Sequence, residues 1–164
     1  MSASTALFPP WIRLRNGNLS IEYTAARPLY ERGLAWSEQA ERPSHPSLAP
    51  WLDGLGTVLA RTGAYAPARG RFARALAIRE RAYGADDPSV AQSLNDIALV
   101  LMTQHEYAAA APLLDRAVAI AEQRFAPDQA GLRTLRSNRQ SCQAQLKVQQ
   151  TSSWMNLWQR LRRP

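Results

Sequence analysis

The chain matches itself when shifted by 42 residues, and this internal repeat restricts the fold more than any other feature. Ala26–Ala35 lies over Ala68–Ala77, and a second shift brings up Ala110–Ala119. Tyr23, Tyr65 and Tyr107 fall in one column, and His45-Pro46-Ser47 shares another with Asp87-Pro88-Ser89. Residues 26–67 and 68–109 are identical at 15 of 42 positions. A fixed period of this size marks an array in which each unit buries its apolar face by stacking on its neighbours.

Each unit reads as two helices. Leu48, Leu52, Leu55 and Leu59 recur at helical spacing, and Val90, Leu94, Ile97 and Leu101 repeat the pattern. The second helix starts near Tyr65 or Tyr107 and carries Ala68, Phe72, Ala75 and Leu76, or Ala110, Leu114, Ala117 and Val118. Leu94, Ile97, Leu101, Leu114 and Phe72 are expected in the core. Gly84 suits a helix end with positive φ, and Asp87-Pro88 reads as N-cap followed by N1. Composition agrees, with 28 Ala against five Val and five Ile, since alanine loses least on entering a helix and β-branched residues favour strands.

These positions resemble tetratricopeptide repeats. From Ala49, the residues Leu52, Leu55-Gly56, Leu59, Gly63, Tyr65, Ala68, Phe72 and Ala75 fall on the family's signature in order. From Ala91, so do Leu94, Ile97-Ala98, Leu101, Tyr107, Ala110, Leu114 and Ala117. The 42-residue period is more similar to the kinesin-light-chain type of repeat than to the usual 34 residues. The resemblance implies an all-α fold, an α-solenoid of antiparallel helix pairs in a right-handed superhelical stack without strands. It spans residues 22–147: a half repeat at 22–40, repeats at 47–82 and 89–124, and a capping helix at 129–147. Residues 1–21, with Pro9-Pro10 and Asn16-Gly17-Asn18, read as an irregular N-terminal segment. The orphan helix then leaves Leu29, Tyr30, Leu34 and Trp36 without a preceding partner. Their cover is expected from Leu7, Phe8, Trp11, Ile12 and Leu14, or from a second subunit or an upstream domain.

The resemblance further implies a non-catalytic scaffold or adaptor that binds a partner protein or peptide on the concave face of the first helices. By position, the binding residues would be Asp53, Gly54, Thr57 and Arg61 in one helix, and Gln92, Asn95, Asp96, Leu99 and Thr103 in the next. The cap would add Ser137, Asn138 and Ser141. Family members commonly hold a peptide backbone with an Asn pair, and here that place reads Asn95-Asp96 in one copy and Asp53-Gly54 in the other.

No motif for catalysis accompanies the repeats. His45 and His105 read as turn residues and Cys142 as a packed thiol on the cap's stripe of Leu132, Leu135 and Leu146. There is no phosphate loop, nucleophile elbow or metal-ligand spacing, so no enzyme activity, cofactor, metal or small-molecule substrate is expected. With one cysteine no internal disulfide framework forms. The sequence offers neither a membrane-length apolar run nor a basic leader, which points to the cytoplasm.

Charge singles out the C-terminal end. Residues 1–128 hold 13 Arg and 13 Asp or Glu, whereas residues 129–164 hold six Arg, Lys147 and no acid, which accounts for the whole net charge of +7. Residues 148–164 read as a basic amphipathic tail, with Trp154, Leu157, Trp158 and Leu161 at helical spacing and Arg160, Arg162 and Arg163 beside them. Its contact residues would be Trp154, Trp158, Arg160, Arg162 and Arg163. An anionic membrane surface or nucleic acid could be met only through residues 129–164. An adaptor acting through this end is one alternative. Another is a repeat fragment of a larger bacterial signalling NTPase, whose sensor arms resemble these repeats.

Overall fold

The computed structural model describes residues 12–15, 18–21, 23–40, 44–124, 126 and 129–161. The fold is all-α, built of helix pairs, with a small hairpin at its start. The described helices are α1 (Tyr23–Ala40), α2 (Leu48–Arg61), α3 (Tyr65–Tyr83), α4 (Pro88–Thr103), α5 (Tyr107–Arg124) and α6 (Ala130–Leu161). They divide into two compact units, residues 1–84 and 85–164.

In the first unit α2 packs against both α1 and α3. Leu48, Leu52, Leu55, Val58 and Leu59 of α2 are buried, together with Ala68, Phe72, Ala75 and Ile78 of α3. Gly56 is required by this pairing, because a Cβ there would come within 2.8 Å of the Phe72 ring. The helices are joined through Gly63, whose φ of 84° is a conformation L side chains rarely adopt.

In the second unit α5 packs against α4 and α6. Its core joins Ala98, Leu101, Tyr107, Ala110, Leu114 and Cys142. Leu94, at 1% exposure, and Leu114 are core residues as the periodicity predicts, but Ile97 is only half-buried and lies against the cluster's edge. Asp87 caps α4, its Oδ1 accepting the Ser89 N–H at 2.8 Å, with Pro88 at the first helical position. The same column ahead of α2 uses a different group: the Ser47 N–H donates to His45 Nδ1 at 3.3 Å.

Three sequence expectations need correction. Residues 1–21 are not irregular throughout, and the chain is not free of strands. Strands β1 (Ile12–Arg15) and β2 (Asn18–Ile21) pair antiparallel, with Ile12 opposite Ile21 and Leu14 opposite Leu19. Asn16-Gly17 breaks helices, but between alternating apolar residues it is also the strongest short-range hairpin signal. The cap and the tail are not separate segments either, since α6 runs unbroken for 32 residues. Nothing between Leu132 and Leu161 stops it, for that stretch holds neither Pro nor Gly.

Pro28 and Pro112 lie inside α1 and α5, in the column that holds Gly70 in α3. All three are exposed, so the carbonyl that each proline leaves without its helical N–H partner can be met by water.

Candidate functional site

The candidate binding residues of the first unit lie along α2. Thr57 and Arg61 are exposed, whereas Asp53 and Gly54 are half-buried. Asp53 is engaged within the fold: its Oδ2 accepts from the Arg79 guanidinium of α3, while its Oδ1 is shielded and has no hydrogen-bond partner. Arg61 stacks over the Tyr23 ring of α1, its guanidinium carbon 5.6 Å from the ring centre. Gly54 admits the Tyr30 ring, which would come within 2.0 Å of a Cβ there. Asp53, Gly54 and Arg61 therefore serve helix packing, while Thr57 is exposed.

The second unit is different. Gln92, Asp96, Leu99 and Thr103 follow one another at helical spacing on α4. Leu99 is 39% exposed, an apolar side chain in water on a helix that buries Val90, Leu94, Val100 and Leu101. Gln92 Nε2 donates to Asp96 Oδ1 at 2.9 Å, and the Thr103 hydroxyl donates to the Leu99 carbonyl at 2.9 Å. Asn95 is not on this outer stripe. It is 5% exposed, and its Oδ1 accepts from Asn138 Nδ2 of α6 at 2.8 Å. The two asparagines assigned to partner binding thus hold α6 against α4. Ser137 and Ser141 of α6 are exposed.

The remaining chemistry-bearing residues have structural surroundings. Cys142 is fully buried, and its Sγ lies 3.4 Å from the Tyr107 carbonyl it donates to. Burial raises the thiol above its ordinary pKa, with the Asp115 carboxylate adding to the effect, so the nucleophilic thiolate is suppressed. His105 Nδ1 is 3.0 Å from the Tyr107 hydroxyl. Among the described residues no three His, Cys, Asp or Glu side chains gather to hold a metal ion. No described helix is long and apolar enough to cross a membrane.

At the C-terminal end, Trp158 is 56% exposed on α6. The side chains of Trp154 and Arg160, and residues Arg162 and Arg163 entirely, lie outside what the structure describes.

Comparison with known proteins decides the family. The tetratricopeptide repeat profile matches residues 22–81 and 68–123. The chain is a tetratricopeptide repeat protein. No curated protein matches its sequence. Among solved structures, a kinesin-light-chain-like protein of Podosopora anserina with nearly identical TPR-like repeats is similar at a TM-score of 0.64 and 17% identity, over 87% of this chain and 70% of that one. A point variant of it gives 0.65 and 18%, over 85% and 66%. BtubC (BKLC) from P. vanneervenii gives 0.62 and 18%, over 82% and 58%. The tetratricopeptide repeat protein described here thus spans less than two thirds of the length of two of these three chains.

One surface of this repeat protein escapes a periodicity reading. Trp51 of α2 packs against Gly33 of α1, where a Cβ would meet the Trp51 ring at 2.3 Å, and the Trp51 and Tyr30 rings meet edge to face at 6.4 Å. Beside them lies an open, mainly apolar groove of about 680 Å³. The signal was available as a column mismatch: Trp51 stands where the other copy has Ser93, and Gly33 where α3 and α5 have Ala75 and Ala117.

Proposed function

We propose that this tetratricopeptide repeat protein is a non-catalytic interaction module that binds a partner protein or peptide on the outer stripe of α4. One observation carries the reading: exposed Leu99 is flanked along that helix by Gln92, Asp96 and Thr103. An apolar anchor bordered by an amide, a carboxylate and a hydroxyl suits the apolar side chain and polar backbone of a peptide segment. Thr57 and Arg61 of α2 offer a weaker counterpart in the first unit, because Arg61 also packs on Tyr23. The Asn95–Asn138 bond argues against an amide clamp of the kind the family commonly uses. Affinity capture from the native organism with the intact chain and with Leu99→Asp, side by side, tests this. Partners retained by the intact chain should be lost by the variant, while both give the same helical circular dichroism. Equal capture by both would refute the α4 stripe.

A second reading concerns the C-terminal end. The unbroken α6 carries a segment without a single acidic residue after Asp128. We infer an anionic partner for it, a phosphate-bearing surface met through Lys147, Arg160, Arg162 and Arg163.

A further inference from the structure

The helix α1 belongs to the same column as α3 and α5, yet its surroundings differ. Ile78 and Ile120 are 4% and 3% exposed, while Trp36, their counterpart on α1, is 70% exposed. Trp36 borders the open groove with Leu29, Gly33 and Trp51, and a second hollow of about 390 Å³ continues from Leu29 and Trp51 to Tyr30. Among the described residues no helix precedes α1 to cover this side. An apolar groove walled by two indoles is costly to leave in water.

The hairpin register shows which part of the chain is at hand. Ile12 pairs with Ile21, two residues before Tyr23 opens α1. In an antiparallel pair these two residues lie at the same end of the hairpin, so the chain before Ile12 starts beside the chain that leads to α1. Phe8, three residues before position 11, has a reach of about 10 Å. Leu29 lies roughly 9 Å along the helix axis from Tyr23, by the rise of an α-helix. Met1 has a reach of about 33 Å, more than the roughly 20 Å from Tyr23 to Trp36. Residues 1–11 carry no charged side chain and include Leu7, Phe8 and Trp11, a composition matched to an apolar groove rather than to water.

We propose that residues 1–11 of this chain dock in the α1–α2 groove, with Leu7 and Phe8 seated over Leu29, Trp36 and Trp51. The segment supplies, in extended form, the cover that a preceding helix gives elsewhere in a repeat array. This site is separate from the α4 stripe, and Leu99→Asp leaves it untouched.

Two measurements on the full chain test the docking. Phe8→Cys paired with Arg32→Cys should oxidise to an intramolecular disulfide about tenfold faster than Phe8→Cys paired with Ala73→Cys, an exposed position on α3, because docking raises the local concentration of one thiol near the other. Equal rates in the two pairs would overturn the proposal. A disulfide-linked dimer would overturn it too, by assigning the groove to a second copy. In the unsubstituted chain, oxidative footprinting should modify Trp36 severalfold more slowly than Trp158. Leu7→Ser with Phe8→Ser should bring the two rates together. Equal rates in the unsubstituted chain would sink the proposal independently of any variant.

Discussion

Gly63 and His105 occupy the same column of the repeat, and both stand at positive φ, 84° and 62°. A Cβ at Gly63 would touch nothing within 4 Å, so its value lies in the backbone alone. Gly63→Ala should therefore lower stability by about 1–2 kcal/mol, the cost of a left-handed L residue. Gly70→Ala, also in open space but inside α3, should raise it by roughly 0.5–1 kcal/mol. Urea midpoints of the two variants should move in opposite directions, and movement the same way would refute this account of the turn. Leu94, at 1% exposure, is a packing residue, and Leu94→Ala should cost about 2–5 kcal/mol. Cys142 links the core to pH. Its folded pKa is raised, so its contribution is fully present below the ordinary thiol range and is lost as pH rises through it toward the folded value. The stability gap between the intact chain and Cys142→Ala should shift against the intact chain between about pH 7 and about pH 10. An unchanging gap across that range would remove the buried thiol from the account.

At the scale of the helix, proline shows how tertiary contacts override local preference. Pro112 sits five residues into α5, a helix held by Ala110, Leu114, Ala117 and Val118, all buried. The burial of that face offsets the lost backbone bond, and exposure of Pro112 lets water reach the carbonyl. Pro112→Ala should then add about 1–3 kcal/mol, read as a higher thermal midpoint. The α1–α2 pair shows packing of another kind. Tyr30 fills the space above Gly54 and Trp51 the space above Gly33, each ring using the other helix's missing side chain. Gly33→Ala should cost about 1–3 kcal/mol as overpacking, more than the same change would at an ordinary helical glycine. The long α6 changes character along its length, with Leu132, Leu135 and Cys142 buried and every described position beyond Leu146 exposed. A truncation after Asp128 would strip the core of these three side chains, so the tail must be tested beyond Gln150.

For the molecule as a whole, charge is the property that no single helix reveals. Residues 1–128 sum to zero and residues 129–164 to +7. Retention on heparin should fall when Arg160, Arg162 and Arg163 are all replaced by Gln, and its salt dependence should weaken with it. Unchanged retention would place the anion affinity on local patches of the repeats instead. The helix pairs themselves were readable because Leu52, Leu55 and Leu59, and their counterparts Leu94 and Leu101, keep helical spacing in both copies. The roles of individual polar residues were not. Asn95 occupies a position that the family resemblance assigns to a ligand, yet it points to Asn138, a residue 43 positions away. No local pattern encodes such a pairing.

The order of elements, their type and their caps follow from short-range rules: a 3.6-residue apolar period, a proline after Asp87, a glycine at the turn after α2 and at the end of α3. The sequence by itself therefore determined the helix pairs, their common column of alanines and the uneven charge. The tertiary structure decided what depends on which helix lies beside which. It joined Asn95 to Asn138 and Asp53 to Arg79, left Leu99 and Trp36 exposed, and opened a groove between α1 and α2. Spacing tells which face of a helix is apolar. Only the neighbouring helix tells how much of that face is covered, because burial is a property of two surfaces in contact.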